Sequence, residues 1–148
     1  MHLVTARCAG VLVIAAWAAL TCGRAHAEPY RVRILLSDTG GPLTPVAVNA
    51  VGQVVGTGGS TGGFVWQAGE FRPLPVLPGG SLPVPRAINV HGQIVGWSLD
   101  SLSRSRAVLW DASAASLEAI DLGTLMTYQG EMIGESAAAS INDAGLVT

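Results

Sequence analysis

The chain contains no lysine; all eight of its basic residues are arginine. Charged residues make up only 12% of the 148 positions and aromatic residues 5%. Beyond residue 27, six arginines stand against ten acids, a net charge of −4, and they form no basic stripe. Nucleic-acid binding is disfavoured on that ground, because it rests on clustered cations that displace phosphate counterions. Cysteine is confined to Cys8 and Cys22, so nothing after residue 22 can form a disulfide or a thiolate metal site. His91 is the single histidine after residue 27, and no Asp-x-Asp-x-Asp-Gly calcium loop occurs. No cofactor or metal ion is expected.

Residues 1–27 read as a secretory signal. His2 and Arg7 make a short basic start, residues 9–20 are an uncharged apolar run of 12, and Ala25-His26-Ala27 places small residues where a signal peptidase reads. The run is shorter than the roughly 20 residues of a membrane span. Cleavage before Glu28 is expected, with a secreted, extracellular or periplasmic destination and a helical conformation for the signal itself. A lipid anchor at Cys22 is the rival reading, but the leucine of Ala19-Leu20-Thr21 stands one place too late for a good lipobox. Residues 28–148 form the expected mature domain.

That domain repeats. Val46-Ala47-Val48-Asn49-Ala50-Val51-Gly52-Gln53-Val54-Val55-Gly56 aligns with Arg86-Ala87-Ile88-Asn89-Val90-His91-Gly92-Gln93-Ile94-Val95-Gly96, and both with Ser140-Ile141-Asn142-Asp143-Ala144-Gly145-Leu146-Val147. Phe64-Val65-Trp66 likewise aligns with Val108-Leu109-Trp110, and residues 30–36 with residues 71–77. Asn-x-x-Gly suits a tight turn: the asparagine side chain bonds its own backbone, and glycine takes a positive φ without steric cost. Asn49/Gly52, Asn89/Gly92 and Asn142/Gly145 are therefore assigned as structural turns. β-branched flanks on either side of such a turn make a hairpin. The proline-rich residues 73–85 are expected as an edge strand or an extended connector. The expected fold is all-β, in tandem antiparallel sheets of about forty residues each. Only residues 127–139 carry a faint helical pattern, interrupted by Gly130 and Gly134.

The Ile-Asn-x-x-Gly-Gln-x-Val-Gly core, followed by an apolar strand ending in tryptophan, resembles the HAF repeat family of extracellular bacterial proteins. The resemblance covers most of residues 30–148. It implies a surface or secreted protein, a β-propeller-like architecture and no defined activity. Two departures stand out: Val48 replaces the usual isoleucine, and Leu146 replaces the glutamine. About two and a half units are present, and the last stops inside its hairpin. Since propellers have about 4 to 8 blades, the expectation is a fragment, or a piece that completes itself by assembly.

No catalytic set emerges. Gly58-Gly59-Ser60-Thr61-Gly62 matches the Gly-x-Ser-x-Gly elbow, but that elbow requires a following helix, and Phe64-Val65-Trp66 reads as a strand. His91 fills a variable turn position, occupied by Val51 and Ala144 in the other copies, and reads as an exposed turn residue. Glu131 and Glu135 would share a face only if their segment were helical. Arg104 and Arg106 read as a solvated serine-rich loop. Trp66 and Trp110, equivalent by repeat, are packing residues. Trp97 has no counterpart, since Thr57 stands there in the first copy, and it opens a longer loop over residues 98–106; it is the one candidate ligand platform. The expected function is a non-enzymatic binding protein whose partner is an unidentified protein or glycan. The alternatives are an extracellular hydrolase or lyase with catalytic residues outside this chain, and a structural matrix component.

Overall fold

In the computed structural model, the residues described are 35, 41–60, 62–124, 127–128, 131–132 and 134–148, all within the unit Leu35–Thr148. The expected signal helix and cleavage site, and nearly all of residues 30–36, lie outside the described residues.

The first sheet comprises β1 (Leu43–Val48), β2 (Val54–Gly58), β3 (Gly62–Gln67) and β4 (Glu70–Pro73), antiparallel and in sequence order. The second repeats the arrangement with β5 (Ser81–Ile88), β6 (Gln93–Leu99), β7 (Ser105–Asp111) and β8 (Ala119–Gly123). The short β9 (Thr127–Tyr128) and β10 (Glu131–Met132) pair with each other, and Ile141 bridges Val147 across the third turn. The described part is thus all-β, with two antiparallel four-stranded sheets and no helix. The faint helical pattern of residues 127–139 yields to β9, β10 and irregular chain; the glycines there favour turns over helix. The described residues form no closed ring of sheets.

Both sheets share one irregularity. Register slips between Pro45 and Ala47 on β1, and between Pro85 and Ala87 on β5. Proline cannot donate to the ladder, and both prolines sit on edge strands. Opposite them lie Gly56 and Gly96. A Cβ on Gly56 would collide with the Thr44 carbonyl oxygen, and one on Gly96 with that of Val84. The glycine that closes each Val-Val-Gly or Ile-Val-Gly motif is there for this close approach.

The core lies between the sheets. Val55 and Val65 of the first sheet meet Ile94, Val108 and Trp110 of the second, with Leu74 and Leu77 of the connector between them. Strand alternation puts Ile94 on the face toward the first sheet and its neighbour Val95 on the opposite face, in a second cluster with Ala138 and Ile141; Val55, the repeat equivalent of Val95, faces the second sheet. The second sheet therefore buries one face against the first sheet and the other against residues 138–147. Five side chains in these two clusters, Val55, Ile94, Val95, Val108 and Trp110, are fully buried, and each contributes about 1.5–3 kcal/mol relative to exposure.

Candidate functional site

The three Asn-x-x-Gly turns form one connected structure. In each, the asparagine N–H donates to the carbonyl oxygen four residues on, at 3.1, 3.0 and 3.1 Å for Asn49, Asn89 and Asn142. The glycine N–H donates back to the asparagine carbonyl at 3.1, 3.1 and 3.0 Å, and Gly52, Gly92 and Gly145 have φ near +80°. The side-chain Oδ1 accepts from the N–H four residues on: Gln53 at 2.9 Å, Gln93 at 3.0 Å and Leu146 at 2.8 Å. The asparagine side chain thus closes its own turn.

The amide nitrogens link the turns to one another. Asn49 Nδ2 donates to the Asn89 carbonyl at 2.9 Å, and Asn89 Nδ2 to the Asn142 carbonyl at 3.1 Å. Each Nδ2 also donates to the glutamine of its own turn, to Gln53 Oε1 at 2.6 Å and to Gln93 Oε1 at 2.7 Å. The orientation of each amide is dictated by its neighbours, since one side faces a backbone N–H and the other a carbonyl. Gln53 passes the connection on to Gln67 Oε1 at 3.0 Å, tying the turn to the end of β3. Asn89 and Gln53 are buried polar residues, and all these bonds satisfy them. The third turn adds its own tie, as Asp143 Oδ1 accepts from Val90 N at 3.1 Å. The outcome is an asparagine ladder that sets how successive units stack.

The remaining sequence candidates are placed as follows. Trp110 is fully buried between the sheets, and its Nε1 donates to the Pro75 carbonyl at 2.8 Å. Its equivalent Trp66 is half-buried, beside Phe71 across the β3–β4 pair. Trp97 is half-buried on β6, between Val84 and Ala107, on the same face as Val95. His91 is exposed in the second turn. Ser60 sits in the turn joining β2 to β3, so a strand follows it where a nucleophile elbow has a helix. Glu135 is exposed outside any strand, and Glu131 lies in β10, so no helix aligns the two.

Two loop readings are corrected. Residues 98–106 are largely hairpin: Ser98 pairs with Arg106 and Leu99 with Ser105, leaving a turn of residues 100–104. Asp100 organises that turn by accepting from Leu102 N, Arg104 N and Arg104 Nε at 2.8, 3.0 and 3.0 Å. These bonds, the Arg104 backbone N–H foremost, hold its carboxyl below the usual 3.8. Arg106 is not a solvated loop residue but is buried on β7, paired with Asp121 of β8 at 3.1 Å. Asp111 is also held below the usual carboxylate value, chiefly by the Ser113 hydroxyl.

A groove of about 200 Å³ is lined by Val65, Gln67, Ala68, Glu70, Arg72 and Ala112. Arg72 Nη1 crosses it to the Ala112 carbonyl at 3.1 Å. The groove brings together one carboxylate, one guanidinium and one amide, a set suited to polar contacts. Among the described residues, no cluster of three His, Cys, Asp or Glu side chains is placed to hold a metal ion. No protein-family model, curated protein or solved structure matches this chain. The functional reading therefore rests on the ladder, the stacked sheets and the loops they carry.

Proposed function

We propose that this chain is an exported, non-enzymatic interaction protein that binds a protein or glycan partner through the loops of propeller-like blades. The observation that supports this reading is the stacking of two equivalent four-stranded sheets, in which Val55 and Val95, and Phe64 and Val108, are buried at matching positions, with a ladder of turns along one edge. Such radial or linear arrays place constant residues in the stack and free the connecting loops to vary. The β6–β7 hairpin varies in this way, being longer than the β2–β3 hairpin and tipped by exposed Leu102. The resemblance to HAF repeats and the signal-like residues 1–27 support export.

The test is retention of the purified chain on glycan arrays and on cell-envelope extracts. Retention that is lost when residues 100–104 are replaced by a Gly-Ser turn supports loop-mediated binding. No retention on any surface would overturn it.

A further inference from the structure

Among the described residues, three other than glycine hold a positive φ: Ala68 at 53°, Leu82 at 55° and Ser103 at 61°. Two of them stand at one end of the second sheet. Leu82 lies in the register slip between Ser81 and Val84 of β5, and Ser81 pairs with Leu99, the last residue before the β6–β7 turn. Ser103 lies within that turn. Each marks an exposed leucine: Leu82 itself is 49% exposed, and Leu102, next to Ser103, is 68% exposed. A leucine gains nothing from solvent and tolerates positive φ poorly, so the fold alone gives no reason for Leu82. Backbone held in a sparsely populated region is a pointer to function. In the first unit Pro42 stands where Leu82 is, and a proline ring cannot take positive φ. The β2–β3 turn there, Gly58-Gly59-Ser60-Thr61-Gly62, carries no apolar side chain.

The two leucines are held in place. In the turn, Asp100 N donates to the Arg104 carbonyl at 2.9 Å and Ser103 N to the Asp100 carbonyl at 3.0 Å. The Asp100 carboxylate accepts from Leu102 N, Arg104 N and the Arg104 guanidinium. The connector braces the turn, since a Cβ on Gly79 would stand 3.2 Å from the Ser101 Cβ and one on Gly80 would collide with the Leu99 carbonyl. Beside Leu82, Pro83 is fully buried and pins the bulge, which turns Leu82 outward. The charged groups of the turn are thus spent on its own shape, and what this end presents is apolar. Stacked units cover sheet faces, where the two buried clusters lie. This end lies at the strand termini, beside the stack and not within it.

We propose that Leu82 and Leu102 form a preorganised apolar anchor for a protein partner, each leucine entering an apolar pocket on that partner. The proposal rests on the reading of this chain as an interaction protein and names the partner's class. A glycan is held mainly through hydrogen bonds to its hydroxyls, and the charged side chains here are already committed. A bilayer surface is engaged by clustered cations beside the apolar residues, whereas the one cation of this turn, Arg104, is paired with Asp100. A rigid anchor loses little freedom on docking, so the area it buries goes into affinity.

The test passes the purified chain over immobilised cell-envelope extract, untreated, protease-digested or periodate-oxidised, and over vesicles of phosphatidylcholine and phosphatidylglycerol. Retention on the extract should survive periodate and high salt and vanish after protease. Leu102→Ser and Leu82→Asn should each weaken it by at least about tenfold, the loss of one buried leucine side chain, while Leu102→Met keeps it. The urea midpoints of all three variants should stay that of the parent, Leu82→Asn included, because asparagine suits positive φ. A lower midpoint for Leu82→Asn would show that the fold itself requires this leucine, and the proposal would fall. Retention that survives protease but not periodate, leucine-dependent binding to the vesicles, or retention indifferent to both leucine variants would overturn the proposal and leave the interaction reading in place. No retention on any surface would overturn both.

Discussion

Removing the Asn89 side chain should destabilise the chain far more than removing Asn142. Asn89 is 3% exposed and its amide makes four hydrogen bonds. Two close its own turn, to His91 N and Gln93 N; one holds Gln93 Oε1; one reaches Asn142 O in the next unit. Each bond contributes a net of about 0.5–1.5 kcal/mol, and the exposed His91 N–H regains water when its partner goes. Asn89→Ala should therefore cost about 3 kcal/mol. With a urea slope of about 1.5 kcal/mol/M, the unfolding midpoint falls by about 2 M. Asn142 is exposed and, among the described residues, its side chain makes one bond, accepting from Leu146 N, so Asn142→Ala should cost about 1 kcal/mol or less. Asn89→Asp isolates the donor. It keeps both N–H contacts but sets an anionic oxygen against the Asn142 carbonyl. Burial and that carbonyl raise the folded-state pKa of the new carboxyl. The folded state then binds the proton more tightly than the unfolded one, so the variant should regain stability as pH falls through the folded pKa. Urea denaturation at neutral and acid pH, monitored by tryptophan fluorescence, measures all three. Equal losses for Asn89→Ala and Asn142→Ala, or an Asn89→Asp variant indistinguishable from the parent at neutral pH, would refute the ladder.

Gly96→Ala should prevent native assembly of the second sheet, because the added methyl meets the Val84 backbone carbonyl, and the variant should be recovered mainly as insoluble protein. Gly52→Ala has open space and only its φ of +82° to contend with, so it should fold at a cost of about 1 kcal/mol, read by the same denaturation. Asp121→Ala removes the Asp121 carboxylate from beside the buried Arg106 guanidinium; since Asp121 is itself partly exposed, the loss should be about 1–2 kcal/mol rather than the full value of a buried pair. Asp100 is held below its ordinary value of 3.8, so its contribution is fully present above that pH and is lost as pH falls through the lower folded value. Asp100→Asn should remove that part of the acid dependence, and an unchanged slope of urea midpoint against pH would show that the turn contributes nothing.

The hairpins were legible in the sequence because their signals are local. Asn-x-x-Gly carries its own turn chemistry, and β-branched alternation around it places both strands. The order of strands within each sheet follows from their order along the chain. The ladder was not legible, because the partner of each asparagine amide is a carbonyl 40 or 53 residues away. A clue was present nonetheless. Glutamine recurs four residues after Asn49 and Asn89 and is absent after Asn142, which matches the two turns whose amides donate onward to a described turn. Arg106 was misread for a similar reason: Asp121 becomes its neighbour only once β7 and β8 pair. Trp66 and Trp110 are indistinguishable by repeat position, yet only Trp110 has a described sheet packed over it.

The two rungs of the ladder span different lengths of chain, and this separates what holds the units together from what merely connects them. The first rung joins asparagines 40 residues apart, the second asparagines 53 apart, with bond lengths of 2.9 and 3.1 Å. Closing the longer segment costs only about 0.3 kcal/mol more in chain entropy by the logarithmic dependence on length. A rung and its buried apolar cluster contribute several times that. The connection after β8 can therefore lengthen without disturbing the stack. Insertions there should be tolerated, while a substitution as small as Gly96→Ala should not. The connections are accordingly the places to look for variable, partner-specific surface, and the turns are the places to look for what every unit must keep.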